Sequence, residues 1–271
     1  MKLSFLDDNP IRLEEIKKIQ AVGHDLGAAL YSIDFQRLID DHERIDAFIF
    51  LYEEMDRLAN LYLILIKLGF LNMDSFENDR MIEHVISPLL RSVLEGSMKV
   101  RYVFAGLEGK NDVATIEDRF KDICYIFVQE YNKFYDDSIN LGYDHMVSQV
   151  SFPEGSYNKK KLNNFFLIKE AVVKEKAKNR GGMDKITPND ENEIARITQV
   201  NYMQYTNLCL HTHGNLSSVF RNRFNIEKSF GYNHVKHMGE LARVYISILI
   251  KFGLNDEEAL MLEQQVIKYK N

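Results

Sequence analysis

The chain has 271 residues, of which 45% are hydrophobic, so it can bury a sizeable core in one large domain or two small ones. Its net charge of −6 excludes a generally basic protein that coats nucleic acid. The small numbers of turn-forming residues, four prolines and 14 glycines, argue against an all-β fold with many turns.

The cysteines and the first residues of the chain indicate the cellular compartment. Cys124 and Cys209 form neither a disulfide framework nor a zinc pattern, which favours a reducing cytoplasm. Asp7 and Asp8 fall where a secretory signal needs its apolar core, so we expect no signal peptide. The uncharged run 197–220 is long enough to span a bilayer, but its amides and histidines argue against membrane insertion.

The first half of the chain predicts a series of helices. Two short ones are expected at roughly 11–23 and 26–39. The clearest helix runs from Ile45 to Ile66, with Gly69 as its expected stop. Its apolar residues recur at steps of three and four: Ile45, Phe48, Tyr52, Met55, Ala59, Tyr62 and Ile66.

The next two predicted helices are long. One runs from about Glu77 to Ala105, and Pro88 is expected to kink or split it. The other is expected to begin at a cap formed by Asn111-Asp112, to continue to about Leu141 and to stop at Gly142.

A loop at 146–156 precedes a basic helix predicted at 158–180. The stretch from 158 to 185 carries nine basic and three acidic residues, a charge of +6 that leaves −12 for the rest of the chain. This helix could lie against RNA or an acidic partner, or against the acidic remainder of the chain itself. Lys159, Lys160 and Lys161 are the residues that we expect first in a contact with RNA.

A central helix is predicted at 188–220. Thr187-Pro188 with Asp190 resembles a capping box that has proline at the first helical position. Because the segment from Ile197 to Phe220 contains amides, histidines and serines but no charged residue, we expect it to be buried with its polar groups paired inside the fold.

Two further helices are expected at 232–252 and 257–269. The pattern contains no convincing strand, so the sequence predicts an all-α bundle of about eight helices. The loop at 146–156 could separate two domains. We prefer a surface loop within a single domain, 1–271, because no shift in composition marks two cores.

Polar side chains on the central helix offer a possible site. Gln204, Asn207, His211 and Asn215 fall on one predicted face. His211 and His213 are two residues apart and point about 200° away from each other on a helix, so they cannot share one metal. Cys209 and His213 are four apart and could share a site, but with no third ligand visible we expect no metal and no cofactor.

A second candidate site lies on the Pro88 helix. Arg91, Glu95 and Lys99 could form an exposed ion ladder, worth a few tenths of a kcal/mol per pair. Alternatively, Arg91 and Glu95 could point inward at the polar helix. An arginine can hold a phosphate and a histidine can move a proton near neutral pH, which together could cleave RNA through its 2′-hydroxyl without a metal.

The segment from Pro88 to Tyr102, PLLRSVLEGSMKVRY, resembles the arginine/glutamate helix of an uncharacterised family of bacterial helical proteins, known only as a domain of unknown function. In that family an R-x-x-x-E helix precedes a helix with Tyr, a small residue and His at steps of four. Tyr205, Cys209 and His213 fit these steps, and His211 lies close to the same position. The resemblance covers about two helices.

A more distant similarity is to HEPN domains, which are all-helical and in many cases are metal-independent ribonucleases that act as dimers. Their signature places Arg four to six residues before His on one helix. This chain departs from it, because only three residues separate Arg80 from His84, and Arg221 and Arg223 follow the histidines. A HEPN-type site would therefore need Arg91 from one helix and His211 or His213 from another.

The resulting hypothesis is a HEPN-like, homodimeric effector that acts on RNA in a bacterial defence or toxin setting. In this hypothesis Arg91 binds phosphate, Glu95 orients Arg91, and His211 or His213 is the general acid/base. Long apolar faces such as 45–66 favour self-association. The alternatives are a non-catalytic helical module for a protein partner or small ligand and, more weakly, a metal-dependent hydrolase. Residues expected to contact substrate are Tyr205, Asn207, Asn215, Lys159, Lys160 and Lys161.

Overall fold

The computed structural model describes residues 46–71, 77–107, 112–142, 163–213 and 230–252, together with 257, 260 and 264. Within these ranges the side chains at 62–63, 65–71, 77–87, 207, 210–213 and 230–240 are not described. The two helices expected before residue 45, the loop at 146–156, Lys159–Lys161 and Asn215 lie outside the described residues.

The described residues form an all-α bundle, which confirms the predicted fold class. They contain no strand and six α-helices, compared with the eight or so expected for the whole chain. A 3₁₀ turn at Met183–Lys185 joins the fourth helix to the fifth. The helices are α1 (Asp46–Leu71), α2 (Glu77–Phe104), α3 (Val113–Asn140), α4 (Asn164–Arg180), α5 (Pro188–His213) and α6 (Phe230–Phe252).

Helix α2 is the element around which the others pack. It contacts each of the five other described helices. Near its C-terminal end, Phe104 meets Phe48 of α1 and Phe252 of α6, with all three ring centroids 5.4–5.7 Å apart. Its buried residues point to several sides of the helix: Leu90, Val93, Leu94, Met98, Val100, Tyr102, Val103 and Phe104. One continuous core contains residues from all six helices.

The expectation that the segment 197–220 is buried is wrong for the side chains that the structure describes there. Ile194, Thr198 and Leu208 are buried, but Val200 and Met203 are exposed. Among the described helices, α5 packs mainly against α2 and α4, so only one of its sides is covered. A lack of charge therefore does not identify the most buried helix here.

The apolar face predicted for α1 is largely correct. Phe48, Met55 and Ala59 are buried, but Tyr52 is exposed because the buried stripe is centred on Leu51 and Leu58 instead. The described residues of this stripe pack into the core of the same chain, and self-association stays a prediction.

Several helix ends were predicted correctly. Gly142, with a φ of +80°, follows the end of α3, and Gly181, also at +80°, ends α4. At the start of α5, the Asp190 carboxylate accepts from the backbone N–H and hydroxyl of Thr187, at 3.0 and 2.7 Å. The hydroxyl oxygen of Thr187 in turn accepts from the Asp190 N–H at 3.3 Å, which completes the predicted capping box.

Other boundaries were predicted wrongly. Helix α1 continues past Gly69 to Leu71. Helix α2 runs through Pro88 without being split there, and the kink that the sequence offered as the alternative stays a prediction. Asp112 lies at the cap of α3 but makes no side-chain capping bond. Helix α4 begins at Asn164 rather than at 158, because the extended Asn163 caps it by accepting from the Phe166 N–H at 2.9 Å.

Candidate functional site

Two of the predicted site residues, Arg91 and Glu95, face α5. The Tyr205 hydroxyl of α5 donates to Oε1 of Glu95 at 2.8 Å. Nη2 of Arg91 donates to the same carboxylate oxygen at 3.3 Å and to the Tyr205 hydroxyl oxygen at 3.4 Å. The Arg91 guanidinium carbon also lies 5.6 Å from the centre of the Tyr205 ring. Side chains from two separate helices, α2 and α5, thus form a single polar cluster.

Cys209, one helical turn after Tyr205, completes what we call the Arg91 cluster: Arg91, Glu95, Tyr205 and Cys209. Burial raises the pKa of Tyr205, and its interactions with Cys209 and Glu95 raise that pKa further. The phenol therefore stays protonated and acts as a hydrogen-bond donor. Burial lowers the pKa of Arg91, but the Glu95 carboxylate and the hydrogen bond to Tyr205 outweigh it, and the net pKa is raised. The guanidinium is fully charged.

The ion-ladder interpretation is only partly supported. The Arg91–Glu95 ion pair exists at 3.3 Å, with side-chain exposures of 21% and 30%. Within the described part of the chain, Lys99 forms no ion pair with Glu95 and instead adds positive charge near Glu54 of α1. Arg91 therefore belongs to the contact between α2 and α5 rather than to a solvent-exposed row of charges.

The histidines follow this cluster along α5, which remains helical to His213. Position 213 comes one turn after Cys209, whereas position 211 is rotated about 200° around the helix axis from positions 209 and 213. Tyr205 and Cys209 both lie at the Arg91 cluster, so the backbone continues along the cluster side toward position 213. The side chains of Asn207, His211 and His213 lie outside the described ones.

The basic helix α4 pairs largely within the protein. Lys176 contacts the carboxylates of Glu193 and Asp190, the latter at 3.3 Å, and Arg180 contacts Asp190 at 2.7 Å. Lys174 pairs with Glu170 at 3.0 Å. The contacts of Lys176 and Arg180 with α5 support the interpretation in which α4 lies against acidic residues of the same chain, whereas the pair Lys174–Glu170 lies within α4.

Sequence reasoning missed two aromatic residues beside the Arg91 cluster, Phe165 and Tyr202. The ring of Phe165 meets Tyr202 edge-on at 5.2 Å, and Tyr202 lies 6.0 Å from Tyr205. Tyr202 and Tyr205 are three residues apart, a spacing that already places both rings on one side of the helix. The contribution of Phe165 depends on how α4 packs on α5, which residue spacing does not show.

No family model, curated protein or solved structure matches the chain. Among the residues with a described structure, no group of three or more His, Cys, Asp or Glu side chains is arranged to hold a metal ion. In the same part of the chain, none of the helices combines the length and apolar character needed for a bilayer crossing.

Proposed function

We propose that the protein is a HEPN-like, metal-independent endoribonuclease whose site combines α2 and α5. The observation that carries this proposal is the contact of Arg91 and Glu95 with Tyr205 across the two helices. The cluster is partly exposed, so its guanidinium is accessible to a phosphate from one side. Position 213, a histidine, follows Tyr205 and Cys209 along the α5 backbone at steps of four.

In this proposal Arg91 holds the scissile phosphate through its planar guanidinium and stabilises the negative charge that develops there. The imidazole of His213 removes the proton from the 2′-hydroxyl as the 2′-oxygen bonds to phosphorus. The bond from phosphorus to the 5′-oxygen breaks, and the imidazolium returns the proton to that oxygen. Glu95 and Tyr205 fix the guanidinium of Arg91, with Glu95 also anchoring the phenol.

Helical phase favours His213 over His211 as the general acid/base. Tyr205, Cys209 and position 213 follow one another at steps of four, and the first two lie at Arg91. His211 falls about 200° away and makes a natural control, because it is the same residue type on the same helix.

The proposed activity is tested with purified protein and single-stranded RNA in an excess of EDTA. We expect cleavage that yields 2′,3′-cyclic phosphate ends, and a loss of roughly 10²–10³-fold in rate for Arg91→Ala, as for removal of one group that stabilises a developing oxyanion. Arg196→Ala, at an exposed arginine of α5, is the matched control and should keep the wild-type rate. Cleavage that is equal in Arg91→Ala and wild type would remove Arg91 from the mechanism.

The biological setting is part of the same proposal. We place the protein in the cytoplasm, in a defence or toxin role, where expression of the wild type arrests growth and Arg91→Ala relieves the arrest.

For the expected homodimer, α3 and the residue that caps its C-terminal end offer an exposed apolar ridge made of Phe127, Phe134 and Leu141. Sedimentation at several concentrations tests whether a second copy packs there.

A second candidate function, a non-catalytic helical module, is favoured by one observation. Glu95, Arg91 and Tyr205 hydrogen-bond to one another, as groups do when they fix the packing of two helices. In that case Tyr205→Phe removes a hydrogen bond worth about 1 kcal/mol and lowers the melting temperature by about 2–4 °C, with no activity to lose. Tyr131→Phe on α3 is the control. An unchanged melting temperature in Tyr205→Phe contradicts this structural role.

A further inference from the structure

Three aromatic rings lead from the start of α4 to the Arg91 cluster. Phe165 contacts Tyr202 with ring centroids 5.2 Å apart and an interplanar angle of 89°. Tyr202 lies 6.0 Å from Tyr205, with the rings inclined by 37°. The Arg91 guanidinium then lies 5.6 Å from the Tyr205 ring. We call this row of Phe165, Tyr202 and Tyr205 the aromatic track.

The aromatic track is formed by residues of α4 and α5, and it is accessible to solvent at the Phe165 end. Tyr202 and Tyr205 are three residues apart on α5, so their rings lie on neighbouring parts of one helix face. Phe165 stands in the first turn of α4, which Asn163 fixes by capping it. Its side of the track is accessible, since Phe165 is 38% exposed, whereas Tyr205 is tied down through its hydroxyl.

The charge of Lys169 favours a polyanion over an apolar ligand at the track. At the inner end, the Arg91 guanidinium is paired with the Glu95 carboxylate. Lys169 is one turn after Phe165 on the same face of α4, is exposed, and forms no ion pair with the described residues. Elsewhere on α4, Lys174, Lys176 and Arg180 are paired with carboxylates, so Lys169 differs from them.

We propose that the aromatic track binds the bases of single-stranded RNA and leads the backbone to Arg91, an inference that rests on the proposed function and names its substrate class. Aromatic rings stack on any base, so such a surface binds single strands without reading sequence. In a duplex the bases are already stacked and paired, so their faces cannot reach the rings. The occupant is therefore unpaired RNA rather than a duplex.

The test uses a fluorescently labelled 2′-O-methyl oligonucleotide, which cannot be cleaved because its 2′-oxygen is blocked, and fluorescence anisotropy. We expect Phe165→Ala to weaken binding roughly 5- to 100-fold, the range for loss of one base–aromatic stack. Phe165→Leu keeps the apolar bulk and should weaken binding to a similar extent, because it lacks the ring. Ile250→Ala, a truncation of a 37% exposed apolar residue on α6, should bind as the wild type does, because α6 carries no part of the track.

The outcomes separate this inference from the proposed function. Loss of binding in both Phe165 variants supports the track even if wild-type protein cleaves no RNA, in which case only the nuclease proposal fails. Wild-type affinity in Phe165→Ala overturns the track, and so does wild-type affinity in Phe165→Leu, because apolar packing of the kind used for a protein partner would then suffice. Failure of the wild type to bind the oligonucleotide, or equal binding of its duplex, overturns it as well.

Discussion

Glu54 is a carboxylate placed inside the core, with 3% of its surface exposed. One oxygen pairs with Arg57 at 3.1 Å, and the other has no hydrogen-bond partner among the described residues. Burial raises the pKa of Glu54, while the positive charges of Arg57 and Lys99 oppose that rise. Gly96 of α2 makes room for this side chain, because a Cβ placed at Gly96 would lie 1.6 Å from Oε2 of Glu54.

Gly96→Ala is therefore predicted to destabilise the fold. The added methyl group has to displace an enclosed carboxylate, and such overpacking costs typically about 1–3 kcal/mol. The measurement is urea denaturation of Gly96→Ala in the wild-type and Glu54→Ala backgrounds. With the carboxylate removed, the same substitution should gain about 0.5–1 kcal/mol from the better helix propensity of alanine. The same loss in both backgrounds would show that Glu54 is not the obstacle.

Residue spacing located part of the candidate site. The pair Arg91–Glu95, four residues apart, and the Tyr205–Cys209 step were both visible in the sequence and meet in the structure. Spacing cannot tell which side of α2 faces α5, because an arginine and a glutamate four residues apart also pair on exposed helix faces. Glu54 lies in the buried stripe of α1 between Leu51 and Leu58, a position that helical spacing also indicates.

The corner between α4 and α5 depends on Asp190, of which 1% is exposed. Its carboxylate accepts from Arg180 at 2.7 Å and from the hydroxyl of Thr187 at 2.7 Å, and it pairs with Lys176 at 3.3 Å. These contacts, led by the hydrogen bond from Arg180, hold the pKa of Asp190 well below its usual range. The ionised form is therefore favoured in the folded protein.

The depressed pKa of Asp190 predicts loss of stability in acid. A carboxylate with a lower pKa in the folded state stabilises the protein above its ordinary pKa, and this contribution is lost as the pH falls toward the folded-state value. Asp190→Asn should melt below the wild type at pH 7, and the two melting temperatures should converge as the pH falls below 4 or so. Asp184→Asn, at an exposed position in the same corner, is the control. A gap between Asp190→Asn and wild type that is constant with pH would contradict this assignment.

Helix ends that depend on local chemistry were predictable. The capping box of Thr187 and Asp190 and the left-handed glycines at 142 and 181 act within a few residues, so sequence alone identifies them. Gly69 does not end α1, and Pro88 does not split α2, whereas a kink at Pro88 stays a prediction. A proline removes one backbone hydrogen bond, and a glycine costs about 1 kcal/mol within a helix, amounts that tertiary contacts can offset.

At the scale of the molecule, the fold class was predictable but its centre was not. Apolar residues at helical spacing and the scarcity of proline indicated an all-α bundle. The organising helix is α2, which packs against all five other described helices, rather than the uncharged α5. The neutral polar α5 packs mainly against two of the described helices, α2 and α4. The number of neighbours of a helix depends on topology, which residue spacing does not show.

In the function proposed above, α2 and α5 share a phosphate-binding site and His213 supplies the acid/base group. The most direct test compares His213→Ala with His211→Ala in RNA cleavage under EDTA, with circular dichroism to confirm folding. The proposed function predicts that His213→Ala lowers the cleavage rate roughly 10²–10⁴-fold, as for removal of a general acid/base. His211→Ala should cleave at nearly the wild-type rate. Cleavage that survives in His213→Ala, or that is lost instead in His211→Ala, would contradict it.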